Sequence, residues 1–349
     1  MSSKKVLIVI AVHNGTDFLG DCLSSLAKIN YPQEDLTILA VDDCSTDNSV
    51  EYLKTTWPQV ELIINQTNLG FAVSNNLGFQ YALDHNFAYV YMLNQDTVVE
   101  PDFLFKAVAL AESDSRIGAV QSKLMLFADP NKINSIGNEI HFLGFAFAGG
   151  YQSADQNLAA KEITYPSGAA VLLKTSALKQ IGFLNPDFFM YHEDTDLGWR
   201  LWLAGWRVML SPDSVVYHKY EFSRSIKKYY YMERNRYLII FQNYKIATLI
   251  LLAPALAVMD TAMIFYSFLN GWHRQELRAI NYLFSPLAWQ KIYHTRRAVQ
   301  ASRCVKDREI VKRFVGRIDF QDIQNPLLEY LVNPVFDFYW KIIRHIIFW

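Results

Sequence analysis

Four short apolar runs mark the first hundred positions of the chain: VLIVIAV (Val6 to Val12), LTILAVDD (Leu36 to Asp43), ELIINQ (Glu61 to Gln66) and YVYML (Tyr89 to Leu93). Their aromatic, β-branched and long apolar residues read as strands, and YVYML as one buried on both faces of a sheet. Between the runs the apolar positions change to helical spacing. Phe18, Cys22, Leu23 and Leu26 share one face of a helix expected over Asp17 to Ala27. A short helix over Ser49 to Thr55 follows the start signal Ser45-Thr46-Asp47, and another is expected over Asn75 to Leu83. This alternation argues for an α/β fold, a mostly parallel sheet with flanking helices. Loops at one edge would then collect Asn14, Asp42, Asp43, Asn68 and Asp96. Such an edge is where open α/β sheets bind ligands, and five polar side chains there suggest a nucleotide site.

The fourth strand stops at Asn94-Gln95-Asp96-Thr97. An amide and a carboxylate on rigid backbone suit a hard divalent cation and a diphosphate, because Mg2+ takes few protein carboxylates and fills its other positions with water and phosphate oxygens. The alternative is an Asx-type turn, with Asp96 capping the helix that Pro101 helps to start. Asp42 and Asp43 suit a nucleoside, one carboxylate accepting a pyrimidine imide N–H and its neighbour holding a ribose hydroxyl, or they end a strand and cap a helix. In Asn68-Leu69-Gly70-Phe71 the glycine lets backbone approach a ligand closely, or the segment is an ordinary turn. Neither a GxGxxG after the first strand nor a Walker-A lysine is present, which disfavours dinucleotide and P-loop sites.

Composition and charge add a second region. At 349 residues, 51% hydrophobic and 15% aromatic, the chain can bury one large core or two smaller ones. Three widely spaced cysteines, Cys22, Cys44 and Cys304, form neither a disulfide framework nor a zinc pattern and favour a reducing compartment. The N-terminal VLIVIAV is too short to span a membrane and reads as a first strand rather than a signal peptide. The formal charge of −1 conceals a separation: Arg224 to Arg317 holds 17 Lys+Arg against 5 Asp+Glu, a net of +12, which leaves −13 elsewhere. Inside that basic segment lies the apolar run Ile246 to Trp272, so an anionic membrane surface is the expected partner and nucleic acid is not. Pro254 and Asp260 favour a broken or re-entrant hairpin, or interfacial helices, over one straight span. Trp272, Tyr282, Trp289 and Tyr293 suit a headgroup layer. The tail from Val335 places Trp340, Ile343 and Ile347 at helical spacing, for a last interfacial helix or for core packing.

The motifs, in order, are Val12-His13-Asn14-Gly15, Val41-Asp42-Asp43-Cys44-Ser45-Thr46-Asp47, Asn68-Leu69-Gly70-Phe71-Ala72 with Asn75-Asn76, and Leu93-Asn94-Gln95-Asp96. Gly168-Ala169-Ala170-Val171 and His192-Glu193-Asp194-Thr195-Asp196-Leu197-Gly198-Trp199-Arg200 follow. Together they resemble the signatures of family 2 glycosyltransferases with the GT-A fold, over roughly residues 4 to 240. The resemblance implies a catalytic domain at 1–240, with a nucleotide-binding half at about 1–100 and an acceptor-side half at 101–240. A helical hydrophobic and basic extension, associating with a membrane, would occupy 241–349. It further implies inverting transfer of a sugar from a nucleotide diphosphate donor, with Mg2+ or Mn2+ on the diphosphate. Asp96 and His218 carry over as metal-side residues, and Asn14, Asp42, Asp43, Asn68, Gly70 and Asn94 as the nucleotide site. Asn94 departs from the family's Asp-x-Asp pattern. Asp194 is the implied general base with Glu193 the fallback, though as an N-cap Asp194 would be a poorer base. Tyr230-Tyr231-x-x-Arg234-Asn235 and Arg296-Arg297-x-x-Gln300-x-x-Arg303 look most similar to bacterial rhamnosyltransferase-like members. Those members imply dTDP-rhamnose or a UDP-sugar, a glycan or polyprenyl-linked acceptor, and a place in cell-surface polysaccharide synthesis at the cytoplasmic face of the membrane. A catalytically silent, nucleotide-sugar-binding or scaffolding relative is the alternative.

Overall fold

A computed structural model describes residues 4–220, 226–319 and 326–349; Arg224, at the start of the basic segment, lies outside them. The chain divides into two compact units. The first comprises Met1–Asn138, Ala148–Leu201 and Trp206–Glu221, and the second Glu139–Phe147, Trp202–Gly205 and Phe222–Trp349.

The first unit opens with β1 (Val6–Val12), α1 (Thr16–Leu26), β2 (Leu36–Asp42), α2 (Ser49–Thr56), β3 (Glu61–Ile64), α3 (Phe71–Asp84) and β4 (Tyr89–Asn94). It continues through β5 (Thr97–Val99), α4 (Phe103–Ser113), β6 (Ile117–Leu126), β7 (Ile133–Ser135) and β10 (Lys161–Glu162), while the short paired strands β8 (Asn138–Ile140) and β9 (Ala146–Ala148) fall mainly in the second unit. β11 (Ala170–Lys174), α5 (Thr175–Ile181), α6 (Glu193–Leu203) and β12 (Arg207–His218) complete it. The sheet order is β10-β12-β6-β11-β4-β1-β2-β3, with β5 on β12 and β7 on β6. The expected parallel pairing holds across β4, β1, β2 and β3, whereas β11 runs antiparallel to both β4 and β6, so the whole sheet is mixed.

β1 is continuously apolar because it lies mid-sheet, covered on both faces. Ile8, Ile10 and Val12 join a core with Leu19, Leu23, Phe103 and Leu104. On the other face, Gly78 of α3 approaches so closely that a Cβ there would sit 2.4 Å from Val9 Cγ1. On α1 the buried stripe is Leu19, Cys22, Leu23 and Leu26, so Leu19 rather than Phe18 turns fully inward. Helix α3 begins at Phe71, before the expected Asn75, because Gly70 at φ 86° turns the chain directly ahead of it.

In the second unit the described α-helices are α7 (Ile226–Asn243), α8 (Ile246–Leu269), α9 (His273–Tyr282), α10 (Pro286–Ser302), α11 (Asp307–Ile310) and α12 (Asn333–Ile346). The break expected in the apolar run is absent: α8 is one 24-residue helix with Pro254 inside it, long and apolar enough to cross a membrane. Asp260 is tolerated there because its Oδ1 accepts from the buried Arg236 guanidinium at 2.7 Å, so its charge is paired. Trp272 leaves the expected headgroup layer, and Trp340, open between interface and core, falls to the core. Trp272 is buried and stacked on Tyr229 at 4.6 Å, and Trp340 is buried against Phe142 at 4.6 Å with its indole N–H on Phe314 O, so core packing claims both. Trp289 and Tyr293 remain exposed.

The Arg296/Gln300/Arg303 pattern has a structural explanation. Arg296 Nη1 donates to Phe241 O and Tyr244 O at 2.6 Å each, Gln300 Nε2 donates to Gln242 O and Asn243 O, and Arg303 donates to Asn243 O. One face of α10, with Arg303 just after it, thus caps the last carbonyls of α7, which no intrahelical donor can reach.

Candidate active site

The carboxyl ends of β1 to β4 meet at one edge of the first unit. Beyond β1, His13 and Gln95 exchange two hydrogen bonds of 3.1 Å, which joins the turn after β1 to the turn after β4. Asn14, at φ 50°, accepts from Thr46 N at 2.8 Å and donates its own N–H to Ser45 Oγ at 2.9 Å. Asn68 Nδ2 lies 3.4 Å from both ring nitrogens of His13. The expected side chains of this edge are therefore neighbours, and Asn14 and Asn68 are exposed at it.

Asp42 and Asp43 divide differently from a simple nucleoside pair. Asp43 Oδ1 accepts from Asn65 Nδ2 at 3.0 Å and Leu69 N at 2.8 Å, while Oδ2 accepts from Gly70 N at 2.8 Å. That carboxylate holds the loop ahead of α3 in place. Asp42 Oδ2 accepts from Ser45 N, but its buried Oδ1 has no hydrogen-bond partner. An orphaned carboxylate oxygen in such a place can accept from an imide or hydroxyl donor. Gly70 is needed for a reason other than ligand approach: a Cβ there would meet Phe189 Cδ2 at 2.6 Å and Phe189 O at 2.7 Å. The close neighbour is protein.

Near the end of β4, Asp96 meets His218 through strand pairing. β12 carries a register shift between Ser211 and Val215 and then pairs antiparallel with β5, with His218 opposite Thr97. His218 Nε2 consequently lies 3.3 Å from Asp96 Oδ1. Sequence reasoning missed Asn134 on β7, whose Oδ1 lies 2.9 Å from His218 Nδ1. His218 thus has one ring nitrogen on Asn134 and the other turned toward Asp96. Asn94 Oδ1 close by in the chain is buried without a partner. Carboxylate oxygen, amide oxygen and imidazole nitrogen form a donor set that fits a divalent ion such as Mg2+ or Mn2+. Among the described residues no three His, Cys, Asp or Glu cluster as ligands, so an ion here would complete its shell from water and phosphate.

The carboxylates of Glu193 and Asp194 stand beside this edge. Asn94 N donates to Ala169 O at 2.9 Å, and the preceding Gly168 donates its N–H to Asp194 Oδ2 at 3.1 Å. Asp194 Oδ1 accepts from Thr195 N at 2.7 Å. Helix α6 starts at Glu193, so Asp194 lies in its first turn rather than at the N-cap. Burial raises the Asp194 pKa against the lowering effect of these N–H donors. Glu193, buried with Oε2 unpartnered and next to Asp194, is pushed up to about 8, chiefly by burial. At neutral pH the pair thus holds a proton on Glu193. Asp196, in the same first turn, is buried in an ion pair with Arg200 Nε at 2.7 Å. Arg200 in turn donates to the carbonyls of Ile181, Gly182 and Phe183, locking the turn after α5.

Backbone strain concentrates here. Of seven described non-glycine residues with positive φ, Asn14, Cys44, Phe189, Tyr191 and His192 lie in the loops just described. The peptide of Phe189, at φ 61°, accepts from Phe71 N at 3.2 Å. The segment before Glu193 thereby touches the loop ahead of α3.

A mixed sheet with this topology, polar at the ends of β1 to β4 and carrying a carboxylate pair on α6, is the GT-A fold. The chain belongs to glycosyl transferase family 2, whose model matches residues 7–182. It is 28% identical over 209 residues, 59% of its length, to poly-beta-1,6-N-acetyl-D-glucosamine synthase of Staphylococcus aureus strain MSSA476, and spans 48% of that relative. In structure it is similar to S. aureus TarS in complex with UDP, at TM-score 0.52, 16% identity and coverage of 98% of this chain and 90% of that one. It is also similar to GalNAc-T7 with UDP, GalNAc and Mn2+, at TM-score 0.56, 15% identity and coverage of 69% and 48%.

Proposed function

We propose that this chain transfers a sugar, with inversion, from a nucleoside diphosphate donor to a glycan or lipid-linked acceptor in cell-surface polysaccharide synthesis. The observation that carries the reading is the hydrogen-bonded path Asn94–Ala169–Gly168–Asp194, which sets a carboxylate of raised pKa beside the strand end leading to Asp96 and His218. Asp42 and the exposed amides of Asn14 and Asn68 hold the nucleoside, and a pyrimidine, as in dTDP-rhamnose or a UDP-sugar, suits the free acceptor of Asp42. Asp96 and His218, with Asn94, would hold a divalent ion that neutralises charge developing on the leaving diphosphate. Asp194 takes the proton of the acceptor hydroxyl as that oxygen bonds to the anomeric carbon from the face opposite the departing diphosphate. Glu193, protonated at neutral pH, leaves Asp194 as the charged member of the pair. The strained turn at Phe189 to His192 keeps both in line with the loop at Gly70.

The exposed apolar side chains of α8, α10 and α12, with the net positive charge around them, support a membrane-bound state, peripheral or partly inserted, at the cytoplasmic face. A rhamnosyl donor has less support, since Arg296, Gln300 and Arg303 are committed to capping α7. The test is release of nucleoside diphosphate from a panel of dTDP-, UDP-, GDP- and CDP-sugars with membrane extract as acceptor, with and without Mn2+. Acceptor-dependent release supports transfer; donor binding without release supports a silent binding protein.

A further inference from the structure

Within the second unit, a cavity of about 520 Å³ is lined by Arg308, Val311, Lys312, Arg344, His345, Ile347 and Phe348. Its volume is that of a small-ligand cleft. Three permanent cations and a histidine line it, and Trp349 O accepts from Arg308 N at 3.2 Å. Glu309 lies 2.6 Å from Lys312 and 4.0 Å from Arg308, in exposed pairs of little strength. Arg344 has no ion-pair partner among the described residues, so its charge is available to a ligand.

The helix feeding this groove is apolar on two faces. Phe336 and Trp340 face inward, while Leu331, Val335, Phe338, Ile342 and Ile346, spaced by three or four residues, form an exposed stripe. At its end stand Arg344, His345 and the exposed Phe348. A row of apolar side chains ending in a cationic groove matches an anionic amphiphile, its chains along the stripe and its phosphate among the cations. We infer that the groove between α11 and the end of α12 binds the phosphate headgroup of an anionic membrane lipid and sets the docking of this unit on the bilayer. The inference rests on the membrane-bound state proposed above and adds a specific headgroup site to it.

The test is co-sedimentation of the full chain with vesicles of phosphatidylcholine alone or with phosphatidylglycerol, at low salt. The groove variant Lys312→Gln/Arg344→Gln is compared with Arg274→Gln/Arg297→Gln, which removes two exposed cations outside the groove. Expected are binding to both vesicles, tighter to the anionic ones, and a loss of about tenfold or more in the groove variant alone. Equal losses in the two variants would mean diffuse attraction and overturn the site. Equal wild-type affinity for the two vesicle types would overturn the site while leaving membrane association standing. Binding to neither would overturn both. Stabilisation by inorganic phosphate through the same residues, without vesicle binding, would make the groove a site for a free anion and refute the lipid.

Discussion

Glu193→Gln isolates the consequence of burying two adjacent carboxyl groups. In the folded protein Glu193 is pushed from 4.5 to about 8, first by burial and then by Asp194. Between those values the native state keeps a proton that the unfolded chain has released, so stability is full below 4.5 and falls as pH rises toward 8. Each pH unit is worth about 1.4 kcal/mol, which puts the ceiling near 3 kcal/mol lost at neutral pH and about 5 kcal/mol above pH 8. Glutamine stands in for the protonated acid and removes this dependence. Its amide also brings N–H donors to a place where Oε2 has no partner, for a penalty of about 1–3 kcal/mol at every pH. The variant should therefore be the less stable protein near pH 5 and the more stable one near pH 8.5. Urea denaturation of both proteins across that range, followed by tryptophan fluorescence, checks the crossing. Parallel stability profiles would mean that Glu193 ionises normally, and the assignment of the charged role to Asp194 would lose its electrostatic basis.

Asp194→Asn keeps the shape while removing basicity and one of the two acceptors that meet Gly168 N and Thr195 N; donor binding should persist and transfer should fall at least about a hundredfold, and near-wild-type turnover would assign the proton elsewhere. Gly70→Ala adds a Cβ at φ 86° against Phe189, so the melting temperature should drop, by about 1–3 kcal/mol in stability, together with donor affinity; unchanged melting would contradict the close contact. Arg296→Gln should destabilise the second unit by about 1–3 kcal/mol through the uncapped carbonyls of α7 while leaving nucleotide affinity intact. A selective loss of dTDP-sugar binding in that variant would restore the motif as a donor determinant.

The parallel half of the sheet was legible because β1, β2 and β4 are apolar on both faces, and their polar ends followed directly. Three things depended on pairings that no local pattern encodes. His218 reaches Asp96 only because β12 shifts register and then pairs with β5, and Asn134 reaches His218 from a three-residue strand with no distinctive composition. Asp43 reads as a ligand-binding carboxylate until the N–H groups of Leu69 and Gly70 are found on it; the signal available was its position opposite a glycine turn. In the basic segment, charge counting could not distinguish guanidinium groups that cap helices or pair inside, such as Arg296 and Arg236, from those left outside, such as Arg274 and Arg297. Trp340 of the tail stayed open between interface and core for a related reason. A helix apolar on two faces has no single stripe to read, and Trp340 belonged to the inner one.

The most direct test of the site is nucleotide binding with and without metal in wild type and Asp96→Ala. Ligand that binds only the folded state raises its melting temperature, so UDP and dTDP should stabilise the wild type more with Mn2+ than without. Asp96→Ala should fold normally, its own melting temperature little changed, and should lose the metal-dependent increment while keeping any binding made through Asp42, Asn14 and Asn68. Retention of the full Mn2+-dependent shift in Asp96→Ala, or no nucleotide-induced shift in the wild type, would contradict the account.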